Sequence, residues 1–117
     1  MEVRIYHNPR CSKSRQTLEL LRQRGIEPIV IEYLKTPPSP QELERILALL
    51  GIGPRELMRS NEAEYKELAL DRPELSREEL IRAMHEHPRL IQRPIVVTAQ
   101  AAAIGRPPEK VLEILPS

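Results

Sequence analysis

The chain holds one cysteine, and the residues around it are those that turn a thiol into a reagent: His7-Asn8-Pro9-Arg10-Cys11-Ser12-Lys13-Ser14-Arg15. A lone cysteine often serves as a small buried hydrophobe. A setting of Asn, Pro, Arg, Ser and Lys is not a core pattern. Arg10, Lys13 and Arg15 add positive charge, and His7 is placed to supply a proton or a cation. Ser14 lies a turn away on a helix and can donate a hydrogen bond to the sulfur. Such surroundings depress a thiol pKa, and the thiolate is the nucleophile.

Spacing excludes two other thiol chemistries. A dithiol redox site needs Cys-x-x-Cys, and the fourth position here is Ser14. A phosphatase loop needs an arginine six positions after the cysteine, and Thr17 stands there. Any disulfide at Cys11 must therefore be made with another molecule, most simply glutathione.

The elements that position this stretch can be read from periodicity. Val3 and Ile5 alternate with Arg4 and Tyr6 as a short strand that Pro9 ends. Helical spacing begins near Ser12, turns Thr17, Leu18, Leu20 and Leu21 inward, and stops at Gly25. Pro28-Ile29-Val30-Ile31 reads as a second, buried strand, which closes a βαβ unit. Cys11 then stands at a helix start, where main-chain N–H groups lack intrahelical partners and the dipole favours a thiolate or a bound anion.

After Thr36-Pro37-Pro38 the chain turns helical. Ser39 with Glu42 forms a capping box with Pro40 at the first helical position, and Leu43, Ile46, Leu47 and Leu50 form the stripe that Gly51 closes. A short helix is expected from Pro54 to about Arg59, another from Asn61 through Leu68, and a third from Ser76 with Glu79 to about His85. Strand character returns at Ile95-Val96-Val97, with Ala101 to Ile104 as its hairpin partner. A last helix begins at Pro107 or Pro108 with Val111, Leu112 and Leu115 inward. The expectation is one α/β domain over residues 1–117 with a thioredoxin-like fold. It has a four-stranded mixed sheet and a helical insertion, about residues 39–87, between the second and third strands.

Composition narrows the function classes. The 117 residues carry 18 basic and 17 acidic side chains, a net charge of +1. That balance gives no field to steer the chain to nucleic acid or an anionic membrane. There is no Phe or Trp and only three Tyr, so aromatic platforms for stacked bases are missing. No apolar run spans a bilayer and no apolar signal region opens the chain, so a cytoplasmic protein is expected. A single cysteine fits a reducing compartment. Arginine outnumbers lysine 14 to 4, as genomic base composition can produce; the guanidinium fork also suits oxyanions. His85-Glu86-His87 reads as a solvated helix end rather than a metal site. No large apolar stripe asks for a partner copy, so a monomer is expected.

The stretch His7-Asn8-Pro9-x-Cys11-x-x-Ser14-Arg15 resembles the signature of the arsenate reductase family that works with glutathione and glutaredoxin. Leu57-Met58-Arg59, Arg93-Pro94-Ile95-Val96-Val97-Thr98 and Gly105-Arg106-Pro107-Pro108 extend the resemblance, in order, over nearly the whole chain. The end at Ser117, soon after the last helix, resembles the short chromosomal branch. The resemblance implies that Cys11 attacks the arsenic of arsenate, and that Arg59, Arg93 and Arg106 cradle the oxyanion. It gives His7 and Ser14 the lowering of the cysteine pKa, Asn8 and Arg15 the support of the loop, and Pro94 a cis bond after Arg93. Glutathione would be a co-substrate that leaves a mixed disulfide on Cys11, and glutaredoxin would release it; no tightly bound cofactor is implied. Two alternatives share the fold: a non-enzymatic thiol-based regulatory or binding protein, and a thiol oxidoreductase with another substrate. The family's transcription regulators often carry a Cys-x-x-Cys switch, which Ser14 removes here.

Overall fold

The computed structural model describes residues 2–115. They fall into two compact units, one running up to Thr36 and resuming at Arg93, the other Pro37–Gln92.

The first unit holds the sheet. Strand β1 (Arg4–His7) leads into helix α1 (Ser12–Gln23), which returns the chain to β2 (Ile29–Glu32). After the second unit come β3 (Ile95–Val97) and β4 (Ala102–Ile104), in a sheet of order β2-β1-β3-β4. β1 pairs parallel with β2, with Ile5 opposite Val30, and antiparallel with β3, with Ile5 opposite Val96. β3 pairs antiparallel with β4, with Val96 opposite Ala103. This is the thioredoxin-like arrangement.

Strand alternation sends Val3 and Ile5 to one face, and register places Val96 and Ala103 on that face too. There they meet Leu21 of α1 and Val111, with Leu18, Leu20, Ile26, Ile114 and Leu115 packed around them. Val3, Ile5, Leu21, Val96 and Val111 are at most 4% exposed, so each adds roughly 1.5–3 kcal/mol of burial that clamps α1 to the strand it follows.

β2 corrects the sequence reading. It was expected to be buried, yet Ile29 is 48% and Val30 39% exposed. An apolar β-branched run announces a strand but not its place in the sheet, and β2 lies at the edge. The last helix is also different in kind. Pro108–Ile114 is a 3-10 segment; Val111 is buried, while Leu112 and Leu115 are only half-buried.

The second unit contains α2 (Pro40–Leu50), α3 (Pro54–Leu57), α4 (Ala63–Glu67) and α5 (Arg77–Glu86), followed by a 3-10 turn at Pro88–Leu90. Both full capping boxes form: Ser39 Oγ accepts from Glu42 N at 3.1 Å, and Ser76 Oγ from Glu79 N at 3.1 Å. α4 opens after Glu62 rather than at Asn61. Leu43, Ile46, Leu47, Leu80, Ile81 and Met84 are buried, as the helical stripes require. His85 is not a bare solvated end: its Nδ1 lies 2.9 Å from Pro38 O and ties α5 to the segment that starts α2. No helix among the described residues is long and apolar enough to cross a membrane.

Candidate active site

A tight turn delivers the cysteine. Asn8 O accepts the Cys11 N–H at 3.0 Å, and Asn8 Oδ1 accepts the Arg10 N–H at 3.0 Å. Asn at the first position and Pro9 at the second suit such a turn, because the amide side chain bonds back to the main chain and proline presets φ. Arg15 Nη1 donates to Pro9 O at 3.0 Å and braces the turn from the helix side. Cys11 then caps α1 with extended backbone (φ −94°, ψ 124°) and is partly exposed.

The thiol closes no capping hydrogen bond, being a weak acceptor. As a thiolate it is favoured. Burial alone would push its pKa up, but the N–H of Ser14, the charge of Arg93, the N–H of Lys13 and a hydrogen bond from the Arg93 side chain outweigh that and hold it below the ordinary value.

Ser14 therefore acts on the sulfur through its main chain, where the sequence reading pointed to its hydroxyl. That hydroxyl is otherwise engaged. Ser14 Oγ lies 2.6 Å from His7 Nδ1 and accepts the Asn8 N–H at 3.0 Å. Both side chains are buried. Burial lowers the His7 pKa; Glu32 pulls it up, and Arg22 and Arg15 push it down. A neutral imidazole can accept the Ser14 proton through Nδ1. His7 is thus coupled to the loop through Ser14 and is not among the groups that lower the Cys11 pKa.

Arg93 precedes β3, and its bond to Pro94 is cis. Its Nε and Nη1 are buried with no hydrogen-bond partner. Buried donors without partners are costly, and a cationic fork with two of them vacant is suited to an anion. Arg106, whose bond to Pro107 is also cis, donates from Nη1 to Arg93 O at 3.0 Å. It therefore steadies the main chain of Arg93 while most of its fork stays exposed. Gly105 N donates to Pro94 O at 2.9 Å.

Arg59 lies in the second unit just after α3, where its N–H donates to Leu90 O at 2.7 Å. Its guanidinium is paired with the Glu62 carboxylate, which Arg89 also approaches at 3.9 Å. The spacing of three residues was the available signal for that pair. Gly105 was missed as well. A Cβ there would stand 2.5 Å from Thr17 Oγ1 and 2.8 Å from Pro94 Cγ, so the absent side chain lets the Pro94 segment lie against α1. No cluster of metal-ligating side chains occurs among the described residues.

The thioredoxin-like sheet thus sets one cysteine of lowered pKa at the start of its first helix, beside an arginine with two buried, unpartnered donors. The model of the ArsC family matches residues 6–114, and the chain belongs to that family. It is 56% identical to the uncharacterized protein YfgD of Escherichia coli K12 over 97% of each chain. It is 53% identical to an arsenate reductase of Haemophilus influenzae, over 98% of this chain and 100% of that one. The solved arsenate reductase from Vibrio cholerae superposes with a TM-score of 0.95 at 57% identity, covering 98% of each.

Proposed function

We propose that the protein is an arsenate reductase that works through the Cys11 thiolate, with glutathione as reductant and glutaredoxin releasing the final mixed disulfide. One observation carries the reading: the activated Cys11 sulfur takes charge and a hydrogen bond from Arg93, whose Nε and Nη1 remain buried and unpartnered. The names of the Haemophilus and Vibrio relatives support it.

The chemistry follows from charge. Arsenate is an anion, so bringing a thiolate against it needs cations and N–H donors that act in the transition state. Cys11 Sγ attacks arsenic, and an oxygen leaves as water. A glutathione thiol adds to the arsenic with loss of a second oxygen as water. The As–S bonds then give way to an S–S bond between Cys11 and glutathione, and the electron pair released reduces As(V) to As(III). A second thiol attacks the mixed disulfide, and Cys11 returns as thiolate. In this reading Arg93 holds the oxyanion through its unpartnered donors, and Arg106 steadies the Arg93 main chain. Arg59, brought in by the family resemblance, is engaged by Glu62, so an oxyanion that used it would compete with that carboxylate. A cytoplasmic, reducing setting and a monomeric chain fit this cycle.

The test is arsenite formation from arsenate with glutathione and glutaredoxin present. Wild type is expected to turn over, Cys11→Ser to be inactive, and Arg93→Ala to fall by on the order of 100-fold, as for loss of a transition-state donor. No arsenite from wild type would overturn the assignment.

A further inference from the structure

Arg10 and Lys13 flank Cys11, and neither charge contributes to lowering its pKa. Both side chains are exposed and have no ion-pair or hydrogen-bond partner among the described residues. Among the other exposed cations of this unit, Arg4 is paired with Glu2, Arg22 with Glu27 and Lys35 with Glu32, while Arg24 and Lys110 have no such partner among the described residues. What sets the Cys11 stretch apart is its sequence. No acidic residue occurs between Glu2 and Glu19 in a chain that has 17 of them. The positive charge around Cys11 is thus left uncompensated on its solvent side, beyond what the thiolate uses.

A chain with one cysteine has no internal thiol to resolve a disulfide, so every catalytic cycle needs a thiol to arrive from solvent. We propose that Arg10 and Lys13 form a docking rim for the carboxylates of that incoming thiol, and that the site thereby selects small anionic thiols over neutral or cationic ones. This rests on the reading that Cys11 exchanges with an external thiol. In the cycle proposed above that thiol is the glutathione that adds to the Cys11-bound arsenic; in a direct exchange without glutaredoxin, the incoming thiolate attacks the sulfur of a small thiol already bound to Cys11. The new S–S bond joins the two small thiols, and the electron pair of the broken bond returns to Cys11 as thiolate. Carboxylates held at the rim would bring the attacking sulfur to the open side of Cys11, with the buried Arg93 donors left for the oxyanion. The attraction acts across solvent, so it weakens with salt.

Two probes isolate the rim. The full chain is alkylated at Cys11 with iodoacetate, an anion, and with iodoacetamide, its neutral analogue. The ratio of the two rates cancels any change in the thiolate itself. Disulfide exchange at Cys11 is then followed with glutathione and with its monoethyl ester, in which the remaining carboxylate and the ammonium cancel. In wild type both ratios are expected to favour the anion at low salt and to collapse at high salt. In Arg10→Gln/Lys13→Gln they are expected to fall roughly fivefold, as two exposed charge pairs allow. Arg24→Gln, at the far end of α1, is expected to leave them in place. Ratios unchanged in the double variant, or lowered equally by Arg24→Gln, would overturn the rim. Arsenate turnover plays no part in the alkylation, so failure of the arsenate assay with these ratios intact would sink the function and leave the rim standing.

Discussion

Ser14 Oγ and His7 Nδ1 lie 2.6 Å apart in the interior, between the end of β1 and the first turn of α1. The same oxygen accepts the Asn8 N–H. One hydroxyl thus joins the strand end, the turn and the helix start. Ser14→Ala would leave the imidazole and the Asn8 N–H without this partner, at a cost of about 1–3 kcal/mol. The main-chain N–H that faces the sulfur survives in alanine. A urea titration of the variant is expected to show clear destabilisation, while a thiol titration shows a smaller change in the Cys11 pKa than Arg93→Ala produces.

Arg93→Ala should have the opposite profile. It removes both a charge and a hydrogen bond from the thiolate. The Cys11 pKa, followed by thiolate absorbance against pH, is expected to rise toward the ordinary value of about 8.5. Arg93→Lys keeps a charge without the fork and is expected to fall in between.

Two pH dependences follow, and in both the native state favours the deprotonated form. The folded pKa of Cys11 lies below its unfolded value, so the thiolate contributes stability that is complete above the unfolded pKa and disappears as pH falls through the folded one. The stability gap between wild type and Cys11→Ser should therefore widen as pH rises through that window and then level off. His7 also has a lowered pKa, but its neutral form is the native one. Below 6.5 the unfolded chain takes up a proton that the native His7 resists, so stability falls with acid until the folded pKa is passed. His7→Gln should flatten that acid limb in denaturant titrations across pH.

Gly105 is a packing requirement. Thr17 is fully buried, and its Oγ1 is held by a 2.8 Å bond to Lys13 O, so it cannot swing away from a new Cβ. Gly105→Ala is expected to cost about 1–3 kcal/mol, as overpacking does. Thr17→Ala vacates two of the three close contacts and should recover part of the loss in the double variant, measured by thermal unfolding.

What the sequence made legible was local. Ser39 with Glu42 and Ser76 with Glu79 announced their helix starts, and Val3/Ile5 alternation together with the polar loop set Cys11 at the start of α1. These features depend on neighbours a few residues apart. The hidden features depend on distant partners: the edge position of β2, the approach of Gly105 to Thr17, the Arg106 bond to Arg93 O, and the release of the Ser14 hydroxyl to His7. The 3-10 form of Pro108–Ile114 was hidden for another reason, because its apolar positions also fit an α-helical stripe over so short a span.

The central claim is that Cys11 is the one sulfur through which arsenate receives electrons. The most direct measurement is mass spectrometry of the intact chain incubated with glutathione, with and without arsenate, and with glutaredoxin left out. One glutathione on Cys11 that accumulates only when arsenate is present is the expected result. Cys11 remaining a free thiol in the presence of arsenate, or carrying glutathione equally without it, would contradict the account.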